Sequence, residues 1–188
     1  MSMLTNIRAS SIAMAMLTGW VVFAGAARAA ETEAEKVSRI LSDAKMQAYQ
    51  LKVDADNLEA YSRSSATWES HADAINRIKD DVNTMGKTLA KLQESRDGAE
   101  PWQRTAIDRI MPVAKELAAN TTAAIEQLAK FPRRLSTPTY QDYLEAICDS
   151  ATNLASTITD FVDYDKTRQR LSRLAGKVEV ESGGQEGK

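Results

Sequence analysis

Residues 68–92 read "WESHADAINRIKDDVNTMGKTLAKL", and this stretch decides the fold. Its apolar side chains and its histidine fall at Trp68, His71, Ile75, Ile78, Val82, Met85, Leu89 and Leu92, in unbroken steps of three and four. Such spacing marks one face of an α-helix and is incompatible with the alternation of a strand. The intervening positions are charged, small or polar, as expected of a helix with one face against a core.

Three other segments repeat the pattern. Before it lie Ala34, Val37, Leu41, Ala44, Ala48, Leu51, Ala55 and Leu58; after it come Ile107, Ile110, Ala114, Leu117, Thr121, Ala124, Leu128 and Phe131. The last stripe holds Tyr140, Leu144, Ile147, Ala151, Leu154, Ile158 and Phe161. No segment alternates as a strand would. "SRSSAT" at 62–67 favours a turn and an N-cap, although one very long helix would nearly fit. "RDGAEPW" supplies a C-terminal Gly98 and puts Pro101 in the next first turn, and "FPRRLSTP" offers Pro132 as a stop with Ser136 or Thr137 as a cap. Short connections make neighbouring helices antiparallel, so the expected fold is all-α, an up-down-up-down four-helix bundle. Pro112 lacks the amide that would bond the carbonyl of Asp108 and should kink or interrupt the third helix.

The ends of the chain read differently. "IAMAMLTGWVVFA" is an apolar run of 13 residues preceded by one Arg and no acid, and Ala27-Arg28-Ala29 offers small residues at the −3 and −1 subsites. This predicts a cleaved signal peptide over 1–29; an uncleaved short anchor is the other reading. A bilayer-spanning helix takes about 20 residues, so no integral membrane span is expected after cleavage. The bundle is expected over 30–177, with a disordered tail over 178–188, "VEVESGGQEGK". Loss of Arg8 and Arg28 takes the formal net charge from −2 to −4, which gives no basic footprint for nucleic acid or an anionic membrane. Cys148 is the one cysteine and has no internal partner for a disulfide. Beside Ile147 it reads as a packed small hydrophobe, with an intermolecular disulfide as the alternative.

Antiparallel topology gathers Tyr61, Trp68, His71, Phe131, Tyr140 and Tyr143 at one end, with Arg63, Lys130, Arg133 and Arg134 around them. Two helix N-termini point the same way. Arg63, Trp68, His71, Arg133, Arg134 and Tyr140 are therefore the candidate site for a small anionic ligand or an acidic segment of a partner. The same residues also suit a structural role, as aromatic plugs and as cations that oppose helix C-terminal dipoles. His71 is expected to be neutral and packed against Trp68.

Several chemistries lack their residues. The bundle superficially resembles periplasmic b-type cytochromes, yet the His of the last helix is missing, and there is no Cys-x-x-Cys-His for covalent haem. Ferritin-like di-metal sites need Glu-x-x-His twice, and the chain has one His. No nucleophile sits in a strained elbow or a glycine-rich loop. No enzyme and no cofactor is expected.

"WESHADAINRIKDDVNTMGKTLAKL", "PWQRTAIDRIMP" and "STITDFVDY" together are similar to a set of uncharacterised exported helical proteins of bacteria. That resemblance implies an exported bundle and no activity. The expected function is an exported, periplasmic binding or interaction module whose partner is an envelope protein or a small anionic ligand. The alternative is a carrier of a small anionic ligand, haem or metal at the aromatic end near His71. A stress chaperone is the third reading, and the Leu-Thr-x-x-Gln repeats of one such family are absent.

Overall fold

A computed structural model describes residues 31–64 and 66–183, with side chains through 178. The expected signal peptide and its cleavage after Ala29 lie outside the described residues. Within them the chain forms α1 (Glu33–Ser62), α2 (Trp68–Glu94), α3 (Pro101–Lys130) and α4 (Pro138–Gly183), with no strand.

Local chemistry sets where each helix begins. Thr32 caps α1 in a reciprocal box: its Oγ1 accepts from Glu35 N at 3.2 Å, and Glu35 Oε2 accepts from Thr32 N at 2.9 Å. Thr67 caps α2 by accepting from Ser70 N, so α1 and α2 are separate helices, ending at Ser62 and starting at Trp68, and not one long helix. Pro101 opens α3, where its missing amide costs nothing, and Gln103 Oε1 accepts from Glu100 N. Thr137 precedes α4, and its carbonyl accepts from Gln141 N. Its hydroxyl donates backward to Arg134 O and so does not cap the helix.

Two local expectations change. Gly98 does not terminate α2, which closes at Glu94 with Ser95 as C-cap. Gly98 instead lets the loop approach α1, since a Cβ there would lie 3.1 Å from Glu33 Cγ. Pro112 does not interrupt α3, which runs continuously past it. The proline faces solvent, where water can take the carbonyl it leaves free.

The four helices form an all-α four-helix bundle. α1 meets α2 and α4, and α3 meets α2 and α4, so the chain order is the order around the bundle. Cross-helix pairs show the antiparallel sense: on α1 and α4, Asp56 meets Cys148 while Lys45 meets Asp163. The apolar stripes form the shared core, with Leu41, Leu51, Leu58, Ile78, Leu92, Ile110 and Ile147 at most 1% exposed. Each such side chain contributes about 1.5–3 kcal/mol relative to leaving it in water. Ala44, Ala48 and Ala55 keep α1 close to its neighbours because they project so little.

Two buried polar ties close the ends, one across each diagonal. At one end His71 of α2 meets Tyr140 of α4, Nδ1 to OH at 3.2 Å. At the other, Gln103 of α3 donates through Nε2 to Ala34 O at 2.8 Å and to Ser38 Oγ at 3.1 Å on α1. Gln103 is 1% exposed, so water cannot replace these bonds. Replacing it with Ala removes both bonds across to α1 and leaves the Glu100 amide without its acceptor. Urea denaturation of Gln103→Ala should show a loss of about 1–3 kcal/mol; an unchanged midpoint would mean the tie is dispensable.

α4 has 46 residues against 30 in α1 and in α3. It passes through the boundary expected near residue 177 and continues to Gly183. Good helix formers (Arg, Gln, Leu, Lys) dominate 166–177, and no proline follows to stop the helix. Residues 171–178 are all exposed, so this part of α4 extends without burying a side chain.

Candidate functional site

The structure brings His71 and Tyr140 together and leaves the other four candidates apart. His71 is 2% exposed and Tyr140 1% exposed. Their rings lie 5.7 Å apart, and Tyr61 packs edge-on to His71 at 6.3 Å. The expected packing of His71 against Trp68 is replaced by these two tyrosines. Trp68 is the first residue of α2, with no preceding turn to lean on, and is 41% exposed.

The basic rim is on the surface. Arg63 is exposed and pairs with Glu59 of its own helix. Arg134 and Lys130 sit over the Phe131 ring at 5.1 and 5.5 Å, while Arg133 is exposed with no ion pair among the described side chains. His71 and Tyr140 thus form a buried aromatic plug with Tyr61, while Trp68 and the three arginines lie at the surface.

Burial pushes the His71 pKa below its ordinary 6.5, against the opposing effect of the ring donating a hydrogen bond to the Tyr61 backbone carbonyl. Burial also pushes the Tyr140 phenol up to about 12, so it stays protonated. Both rings are therefore neutral near pH 7. Met85 and Met111 line a crevice between α2 and α3 that does not include His71, so neither is placed to share a haem with it.

Two further titratable groups were not legible in the sequence. Asp81 of α2 faces Asp54 of α1, and Arg77 lies 3.9 Å from Asp54. Burial and then Asp54 raise the Asp81 carboxyl from 3.8 to about 6. Its Oδ2 is out of water without a partner. Any stability gained from protonated Asp81 is present below 3.8 and lost as pH rises through about 6. Cys148 is half-buried and donates its thiol to Asp56 Oδ1 at 3.3 Å; it is a hydrogen-bonded group in the α1–α4 seam and not a simple packed hydrophobe. Burial first, then Asp56 and Glu59, push that thiol up to about 12, which suppresses the thiolate. Among the described residues no three His, Cys, Asp or Glu side chains are placed to hold a metal ion.

The second feature missed in the sequence is the extension of α4. Leu171, Leu174 and Val178 are 62, 48 and 65% exposed. They lie beyond Arg168, and Leu171 lines a cleft with Ala34 and Ser38 of α1 at the end of the bundle while Leu174 and Val178 continue past it. Lys166, Arg170, Arg173 and Lys177 form a second row at steps of four, three and four. Arg170 and Arg173 make no ion pair with the described side chains. Arg168 is not part of this row; it pairs with Glu100 and stacks over Trp102 at 5.6 Å, joining α4 to α3. The signal was present as a 3–4 repeat of Leu and Val, hidden by the net acidity of the whole chain.

Comparisons with protein-family models, with curated proteins and with solved structures find no match for this chain. Among the described residues no helix is long and apolar enough to cross a membrane.

The state of His71 can be measured directly, because it is the only imidazole in the chain. A folded pKa below 6.5 means the unfolded chain binds more protons in that interval. The contribution of His71 is therefore intact above 6.5 and is lost as pH falls through the folded value. Titration of its ring signals by NMR should give a midpoint below 6.5, whereas a midpoint above it would refute the buried, neutral plug.

Proposed function

We propose that this chain is a small exported interaction module of the bacterial periplasm, without catalytic activity, that engages an acidic helical segment of an envelope protein. The observation that carries the reading is the exposed extension of α4, with Leu171, Leu174 and Val178 beside the basic row. Export is supported by the n-region, apolar run and Ala27-Arg28-Ala29 of the leader.

The chemistry of this face selects its partner. Three apolar positions at steps of three and four make the narrow seam of a helix pair. An interfacial membrane helix presents a broader apolar face, often with aromatics, and here the exposed positions beyond Tyr164 are aliphatic. A second copy would bring another basic row to the contact, so like charge opposes self-pairing. A helix with an apolar seam and an acidic flank complements the face in both respects.

The buried end at His71 supports a structural role there. Tyr140 engages Nδ1 of the imidazole, and no exposed surface remains on either ring to receive a ligand.

A synthetic heptad peptide with Leu at its seam and Glu on its flank is a direct probe. It should bind the purified chain, more weakly as salt rises. The triple variant Arg170→Glu, Arg173→Glu, Lys177→Glu should weaken binding by about tenfold or more, at unchanged thermal midpoint. A matching Lys-flanked peptide should then bind the variant better than the wild type. Binding only to phosphatidylglycerol vesicles, or equal binding to both peptides, would overturn the reading.

A further inference from the structure

A crevice of about 170 Å³ opens between α2 and α3, midway along the bundle and away from the α4 extension. Its walls include Leu51, Met85, Leu89, Met111, Leu117 and Leu154. Leu51 and Leu154 belong to α1 and α4, so the crevice reaches through the α2–α3 seam to the centre of the core. Those two side chains are 0% exposed, and Met85 is 2% exposed, so the interior is narrow and largely out of water.

Gly86 and the turn around Pro112 flank this opening. A Cβ built on Gly86 meets nothing within 4 Å, although the residue lies inside a helix where glycine costs about 1 kcal/mol relative to alanine. On the facing helix, Met111 and Ala114, on either side of the Pro112-Val113 pair, line the crevice while Pro112 itself faces solvent. α2 and α3 also meet less extensively than the other three adjacent pairs.

We propose that this crevice binds a small carboxylate amphiphile of the medium-chain fatty-acid class, with its tail among the leucines and methionines and its head at Lys115. An apolar cavity of about 150 Å³ stays dry and accepts a benzene-sized guest, so the volume here suits the end of an alkyl chain. Met85 and Met111 are flexible and polarisable, and adjust to such a guest. Lys115 is the one charged side chain lining the crevice; it is exposed and makes no ion pair with the described side chains. A carboxylate at the mouth would meet that ammonium while the tail leaves water.

Octanoate, 1-octanol and acetate separate tail from head. In the purified chain, labelled at its methionine methyls, octanoate should saturably shift the Met85 and Met111 signals and raise the thermal midpoint. Octanol should do so several-fold more weakly, and acetate not at all. Gly86→Leu places a side chain in the open space and should abolish the shifts while its circular dichroism remains helical. Lys115→Gln should bring octanoate down to the affinity of octanol. The proposal fails if octanoate leaves both methyl signals of the wild type unmoved, or if the shifts survive in a folded Gly86→Leu variant. It fails for the head group if octanol binds the wild type as well as octanoate does.

Discussion

The register of this bundle depends on the tie between Gln103 and the first turn of α1. A buried amide that donates to Ala34 O and Ser38 Oγ allows little sliding of α3 against α1, because a slip strands the Gln103 amide away from water. The His71–Tyr140 contact does the same for α2 and α4 at the other end. Apolar seams alone would tolerate a one-turn shift, since each repeats every three or four residues. With both diagonals pinned, the bundle ends near the first turns of α1 and α3, and the remainder of α4 has no helix to pack against. The exposed seam at Leu171, Leu174 and Val178 therefore follows from the length of α4 and the register of its neighbours.

The fold was legible because it is written in local periodicity. The 3–4 stripes named the core faces of all four helices, and Thr67 marked the break between α1 and α2. Features that depend on which helices are diagonal were not legible. His71 reads as a neighbour of Trp68 along its own helix, yet its partners come from α1 and α4. Asp81 reads as one of two adjacent solvated acids until Asp54 is placed across the seam. The candidate site was half legible: its aromatic floor exists, but its depth was invisible. The extension of α4 was missed because global net charge averages a basic row against the acids of the bundle.

Polar chemistry here is mostly protective. The Cys148 thiol is held protonated beside Asp56, which keeps the chain's one cysteine unreactive. The Glu100–Arg168 pair and the stacking of Arg168 on Trp102 fasten α4 at the last point where the bundle supports it. By contrast, Gly86 and Pro112 weaken the helices that carry them. Natural sequences keep such weaknesses where function depends on an opening or on movement.

Hydrogen exchange along α4 tests the central claim most directly, since an unsupported helix opens at little cost while a docked one does not. In the chain alone, amides of 170–178 should exchange far faster than those of the core stretch 144–158. With the acidic heptad peptide bound, protection should rise in 170–178 and stay unchanged in the core stretch. Slow exchange of 170–178 in the chain alone, or no change on adding the peptide, would contradict the account.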